Sequence, residues 1–346
     1  MDTTTNQSPA SSIPKNILVT GGGGFLGCAI VRQLLANGHR VVSFSRGTYP
    51  DLDVLDVRQL SGDIADADAV EDAVRGRDAV FHVAAKAGVW GALEAYFRPN
   101  VIGTRNVIAA CRSNRVPMLI YTSSPSVVFD GGNMQGVDES VPYPAHFHAP
   151  YPQTKAMAEQ AVLAAADDAL KTVALRPHLI WGPQDNHLVP RIIARAASLR
   201  RVGDGDNRVD TIYVDNAARA HVLAMEALEK NPTVSGRAYF ISDDNPIGLW
   251  EMVNRILDAG GKPPLTKTIS PRAAYWIGAL MEWAYRAFGI SGEPRMTRFV
   301  ARELATAHWF DISAAKRDLG YTADISIEEG MRRLKAWLTE RSSLSP

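Results

Sequence analysis

Asn16-Ile17-Leu18-Val19-Thr20-Gly21-Gly22-Gly23-Gly24-Phe25-Leu26-Gly27 runs from an apolar stretch straight into a glycine cluster, and that order decides how the rest of the chain is read. A buried strand ending at Thr20 has to turn sharply into a helix, read as Phe25 to Asn37. The first N–H groups of that helix, at Phe25 and Leu26, are free to face a pyrophosphate. Gly21 permits the turn, Gly24 lets backbone approach the phosphates, and Gly27 lets helix and strand pack closely. Gly38 then stops the helix. A flexible glycine loop is the competing reading; the strand before and the helix after favour a dinucleotide site.

The chain has 346 residues, enough for one large and one smaller lobe. Its 37 basic residues balance 37 acidic ones, so no general field draws in nucleic acid or an anionic membrane. Cys28 and Cys111 are too few for a disulfide framework or a thiolate metal site, and they suit a reducing cytoplasm. His146, His148 and His187 lack metal-ligand spacing and read as solvated loop histidines, so no metal centre is expected. Residues 1–14, rich in Thr, Ser, Asn and Gln, read as a disordered leader rather than a signal peptide. The apolar stretch 273–290 is interrupted by Glu282 and Arg286 and is too short to span a bilayer. Its aromatic residues Tyr275, Trp276, Trp283, Tyr285 and Phe288 either line a tunnel for alkyl chains, meet a lipid-bearing partner, or fill the core of a helical lobe.

Apolar strands at 16–20, 40–45, 79–83, 118–123 and 172–176 alternate with helical patterns, among them 100–113 and 152–166 as two long crossovers. Alternation of this kind predicts an α/β fold: a Rossmann-type doubly wound parallel sheet, with a smaller, mostly helical C-terminal substrate lobe. After Arg176-Pro177 the regularity breaks. Strand-like 208–214, a helix over 215–229 and a strand over 238–242 read as a return to the sheet. The expected division is 15–180 with 208–245 for the dinucleotide domain, and 181–207 with 246–341 for the substrate lobe.

Tyr151 and Lys155 stand four apart, on one face of a helix if one begins there. A phenol near pH 7 holds its proton, with an unperturbed pKa of about 10. A cation at roughly 4 Å lowers that by on the order of three units at an effective dielectric of 20. On that reading Tyr151 is the acid for a carbonyl oxygen receiving hydride, and the base in reverse. Ser124, with Ser123 as the near alternative, ends a strand where parallel sheets present ligand sites, and its hydroxyl can orient the substrate oxygen.

The glycine segment, Gly62-Asp63-Ile64, Phe81-His82-Val83-Ala84-Ala85, Asn100-Val101-Ile102-Gly103-Thr104, Ser123-Ser124, Tyr151 with Lys155, Arg176-Pro177 and Tyr213-Val214-Asp215-Asn216 together resemble an extended short-chain dehydrogenase/reductase of the 3β-hydroxysteroid dehydrogenase type. The stretches 85–91, 179–183 and 202–205 are most similar to the branch that reduces 2-alkyl-3-oxoalkanoates in bacterial olefin synthesis. The resemblance implies hydride transfer to a ketone, with Tyr151 as acid, Lys155 on the ribose and Ser124 on the carbonyl. It places Asp63 and Ile64 at the adenine, Ala84 and Ala85 at the middle of the cofactor, and Pro177 at the nicotinamide. Asn100 either joins the cofactor site or caps its helix. A homodimer and an enzyme complex of an olefin pathway follow from the same analogy, as does a bulky apolar 3-oxo acid as substrate.

Where an NAD enzyme places an acid after its second strand, this chain has Ser45-Arg46, which predicts a preference for NADP(H), with NAD(H) as the lesser cofactor. Lys86 and Trp90 are expected in the same cleft, Lys86 holding the substrate carboxylate. Three other readings are a 3β-hydroxysteroid or sterol-4α-carboxylate dehydrogenase, a nucleotide-sugar epimerase or dehydratase, and a sensor that binds NADP without turnover. The intact Ser124, Tyr151 and Lys155 argue against the sensor.

Overall fold

The computed structural model describes residues 13–344. The leader read over 1–14 therefore lies outside the described residues, apart from Ile13 and Pro14. A seven-stranded parallel sheet forms the centre, in the order Arg237–Ile241, Lys171–Pro177, β5 (Met118–Thr122), β4 (Ala79–His82), β1 (Asn16–Thr20), β2 (Arg40–Ser45) and β3 (Arg58–Ser61). The chain runs outward from β1 through β2 to β3 and then returns to β4. Loops after β1 and β4 consequently diverge, and the crevice between them is the place where such sheets take ligands.

Ile17, Leu18 and Val19 are fully buried, each contributing about 2 kcal/mol from removal of apolar surface from water. The Rossmann-type α/β architecture expected from the sequence is thus present. β3 was not expected: Arg58-Gln59-Leu60-Ser61 is half-polar because it is an edge strand paired only to β2.

The segment 208–214 does not rejoin the main sheet. Arg208–Val209 pairs with Ile247–Gly248 and His308–Phe310 in a second sheet whose other edge is Met134–Val137, while Ile212–Tyr213 pairs with Ile180–Trp181. Buried carboxylates divide it. Asp210 accepts from the Phe310 N–H, and Asp243 accepts from the Tyr213 N–H. This second sheet brings the 130–150 segment against the C-terminal part of the chain.

The helix Pro271–Ala287 buries Ala274, Gly278 and Glu282. Thr297 backbone comes so close that a Cβ on Gly278 would lie 2.6 Å from it. The small residues therefore take the inner face, and Trp276, Trp283 and Phe288 are 60–72% exposed instead of filling a core. No helix among the described residues is long and apolar enough to cross a membrane.

Candidate active site

The β1 turn is set by sterics. Gly21 has φ +70°, and a Cβ there would stand 3.0 Å from Ala84 backbone; one on Gly27 would lie 2.1 Å from the Gly21 carbonyl oxygen. Gly24 caps the helix α1 (Phe25–Ala36) with extended backbone and no side-chain cap, so the first N–H groups stay open to a ligand. Buried His82 fixes both loops: Nδ1 is 2.8 Å from Thr20 Oγ1 and Nε2 is 2.9 Å from Thr104 Oγ1, while Thr20 Oγ1 accepts from the Val83 and Ala84 N–H groups. Burial lowers His82 to about 3, so the ring is neutral.

A cleft of about 1120 Å³ runs along this crevice. Gly21, Gly24, Phe25, Leu26, Gly27, Ser45, Arg46, Asp63, Ile64, Ala84, Ala85, Tyr151, Lys155 and Pro177 all line it. The residues fit an elongated dinucleotide: an open helix N-terminus at one turn, a Ser45 hydroxyl buried without a partner, and a Ser123 hydroxyl in the same state. Asp63 pairs with Arg98 at 3.2 Å, leaving the end of β2 to Ser45 and Arg46.

The helix Pro150–Ala164 begins two residues before the expected start because Pro150 suits its first turn. Tyr151 and Lys155 then lie one turn apart, both facing the cleft. A second cavity of about 300 Å³ opens on the other side of Tyr151, with mostly apolar walls that include Phe129, Met134, Phe299 and Phe310. Ser124 and Tyr151 line both spaces and mark their junction. Ser124 Oγ is 2.9 Å from Ser126 Oγ and hydrogen-bonds Tyr151, whereas the Ser123 hydroxyl lines only the larger cleft.

The electrostatics differ from expectation. Burial pushes Tyr151 up to about 12, with the Ser124 hydrogen bond opposing and Glu303 reinforcing the rise. Lys155 does not lower it. Its ammonium donates to the Thr122 carbonyl and lies 4.1 Å over the Tyr121 ring, and burial brings it down to about 7 against the opposing pull of Glu159.

Of three further expected residues, Asn100 and Trp90 fall outside the cleft and Lys86 lines it. Asn100 is buried behind the cleft: its side chain accepts from the Lys86 N–H and donates to the Lys86 carbonyl and Thr154 Oγ1, so it pins a loop. Lys86 is exposed at the larger cleft, 5.1 Å over the Tyr96 ring, and does not line the smaller cavity. Trp90 is held outside both by edge-to-face contact with Tyr285 and by Arg286 at 5.0 Å. His187, read as a solvated loop residue, lines both spaces, whereas His148 bonds the Asp130 carbonyl. Among the described residues no cluster of His, Cys, Asp or Glu could hold a metal.

Sequence reasoning missed His178, Arg191, Glu303 and His308 on the smaller cavity. Only His178 carried a signal, its position directly after Arg176-Pro177.

The pattern of the 3-beta hydroxysteroid dehydrogenase/isomerase family matches residues 18–269. A 2-alkyl-3-oxoalkanoate reductase of Stenotrophomonas maltophilia (strain K279a) is 54% identical over 325 residues, covering 92% of this chain and 98% of that protein. The human sterol-4-alpha-carboxylate 3-dehydrogenase, decarboxylating, is 34% identical over 330 residues, covering 92% and 87%. Among solved structures, a UDP-glucuronic acid 4-epimerase from Bacillus cereus in complex with NAD has the same fold, with a TM-score of 0.73 at 22% identity over 94% of this chain and 99% of that one.

Proposed function

Because the chain belongs to the 3-beta hydroxysteroid dehydrogenase/isomerase family and is a nicotinamide-dependent oxidoreductase, we propose that it reduces the ketone of a 2-alkyl-3-oxoalkanoate to the 3-hydroxy acid with NADPH. The observation that carries this reading is the junction itself: a polar, glycine-cradled cleft and a mostly apolar cavity meet at Ser124 and Tyr151. A bound nicotinamide supplies the hydride.

The protein supplies the rest. Ser124 Oγ donates to the ketone oxygen, and Tyr151 O–H delivers the proton as negative charge develops there. Lys155 holds the cofactor ribose, and the α1 N-terminus with Gly21 and Gly24 holds the pyrophosphate. Ser45 and Arg46 take the 2′-phosphate. Burial pushes the phenol up to about 12, so at pH 7 it holds the proton that the acid's role requires.

The same proposal includes a cytoplasmic homodimer, contact with other enzymes of an olefin pathway, and a substrate lobe formed by 181–207 and 246–341. Identity to the sterol-carboxylate dehydrogenases supports a second reading, oxidation of a 3β-hydroxysteroid or a sterol carboxylate with NAD. NADPH oxidation with a long-chain 2-alkyl-3-oxo acid, run beside NAD reduction with a 3β-hydroxysteroid, separates them. Turnover of the steroid alone would replace the first reading with the second.

A further inference from the structure

The smaller cavity holds an acidic group that the proton transfer at Tyr151 does not use. Glu303, on the helix Arg298–Ala305, is the one acidic side chain among the lining residues, and among the described residues it has no hydrogen bond or ion pair. The cations on its own helix are committed elsewhere: Arg298 pairs with Glu282 at 2.8 Å, and Arg302 donates to His148 Nδ1 at 3.2 Å. Across the cavity Arg191 reaches Glu293 at 3.3 Å, and His308 Nε2 is 2.7 Å from Thr306 Oγ1. His178 leaves Nε2 buried without a partner, and His187 and Tyr151 complete the titratable groups facing this space. Burial lowers His178 to about 3 and His308 to about 4, so neither ring supplies a cation, and it raises Glu303 to about 8. A carboxylate here would repel an anionic ligand, whereas a carboxylic acid offers it an O–H.

We propose that Glu303 recognises the acid function of the substrate, donating a hydrogen bond as a carboxylic acid to the carboxylate of a 3-oxo acid whose ketone lies between Ser124 and Tyr151. The inference rests on the reductase reading and deepens it. In a 3-oxo acid a single carbon separates carboxyl from ketone, so the group that binds one must stand near the groups that bind the other. Glu303 meets that demand: it lines the same cavity of about 300 Å³ as Ser124 and Tyr151. One proton shared between two carboxyl groups is a charge-assisted bond, stronger than a neutral one. Glu303 thus takes the role first expected of Lys86, which is exposed at the larger cleft.

The test compares kcat/KM for a 2-alkyl-3-oxo acid with that for the matching ketone lacking the carboxyl group, from pH 6 to 10, in the wild type and in Glu303→Gln. Titration of Lys155 affects both substrates alike, so their ratio isolates the acid function. The ratio of acid to ketone should fall about tenfold per pH unit above about 8 in the wild type. Glu303→Gln should keep the KM for the acid at pH 7 within about threefold and abolish that fall, and Glu303→Ala should raise the KM. A ratio that stays flat in the wild type, or falls equally in Glu303→Gln, overturns the proposal. No turnover of either substrate at any pH overturns the reductase reading and this inference with it.

Discussion

Lys155 holds its ammonium 4.1 Å above the Tyr121 ring and donates to the Thr122 carbonyl, although Tyr151 lies one helical turn away. Burial brings this lysine down to about 7. A ribose hydroxyl and nearby phosphates favour the charged form, so cofactor binding should return its pKa toward the usual lysine range. The sign follows: binding takes up a proton wherever the free protein has lost one. NADPH binding should take up about half a proton at pH 7, little at pH 6 and nearly a whole one at pH 8.5. Calorimetry in buffers of different ionisation enthalpy reads this directly. Lys155→Met should abolish it, and a buffer-independent heat at all three pH values would contradict it.

Tyr151→Phe removes the proton that the proposed site delivers to the substrate oxygen, while leaving the ring that separates cleft from cavity. Turnover should fall about 10²–10⁴-fold, with NADPH affinity changed less than about twofold. Equal turnover in both proteins would deny Tyr151 its role.

How far the chain could be read in advance depended on how local each determinant is. The β1 turn was legible because Gly27 answers to the Gly21 carbonyl within the same turn, although the Ala84 backbone that crowds Gly21 comes from the loop after β4. β3 was not, since an edge strand needs no apolar alternation. Two-residue strands such as Arg208–Val209 show no period at all, and only Asp210 and Asp243 reveal how the segment divides. Trp276 and Trp283 looked like core until Ala274 and Gly278 proved to hold the packed face. Glu303 carried no motif. Its environment comes from the second sheet and the helix Arg298–Ala305, which the chain assembles from segments as far apart as Met134 and Phe310.

Ser45 and Arg46 bear on cofactor choice. The Ser45 hydroxyl is buried without a partner, and both side chains line the cleft beyond β2, where a 2′-phosphate would be met by hydrogen bonds and positive charge. A charge-assisted bond of about 1.5–3 kcal/mol corresponds to roughly 10–100-fold. Arg46→Ala should therefore lower kcat/KM for NADPH by that factor and leave NADH within about threefold. Adding an acid with Ser45→Asp should reverse the preference. Parallel losses with both cofactors would show that Arg46 supports the loop rather than the phosphate.

Arg176 and Glu159 form an ion pair at 2.6 Å with only 3% and 0% of their side chains exposed. Tyr143 O–H also donates to Glu159 Oε1, and the guanidinium lies 5.1 Å over the Phe240 ring. Removing one member leaves the other charged in a site without water, which costs about 3–5 kcal/mol; replacing both by apolar groups of similar volume is often neutral. Arg176→Met should therefore destabilise the protein by that amount in urea denaturation, and Arg176→Met with Glu159→Leu should recover most of it. Glu159 also supports the charge on Lys155, so Glu159→Gln should shift the midpoint of cofactor-linked proton uptake from about pH 7 to a lower pH. A loss under about 1 kcal/mol in Arg176→Met would mean that water reaches Glu159 and that the pair is not dry.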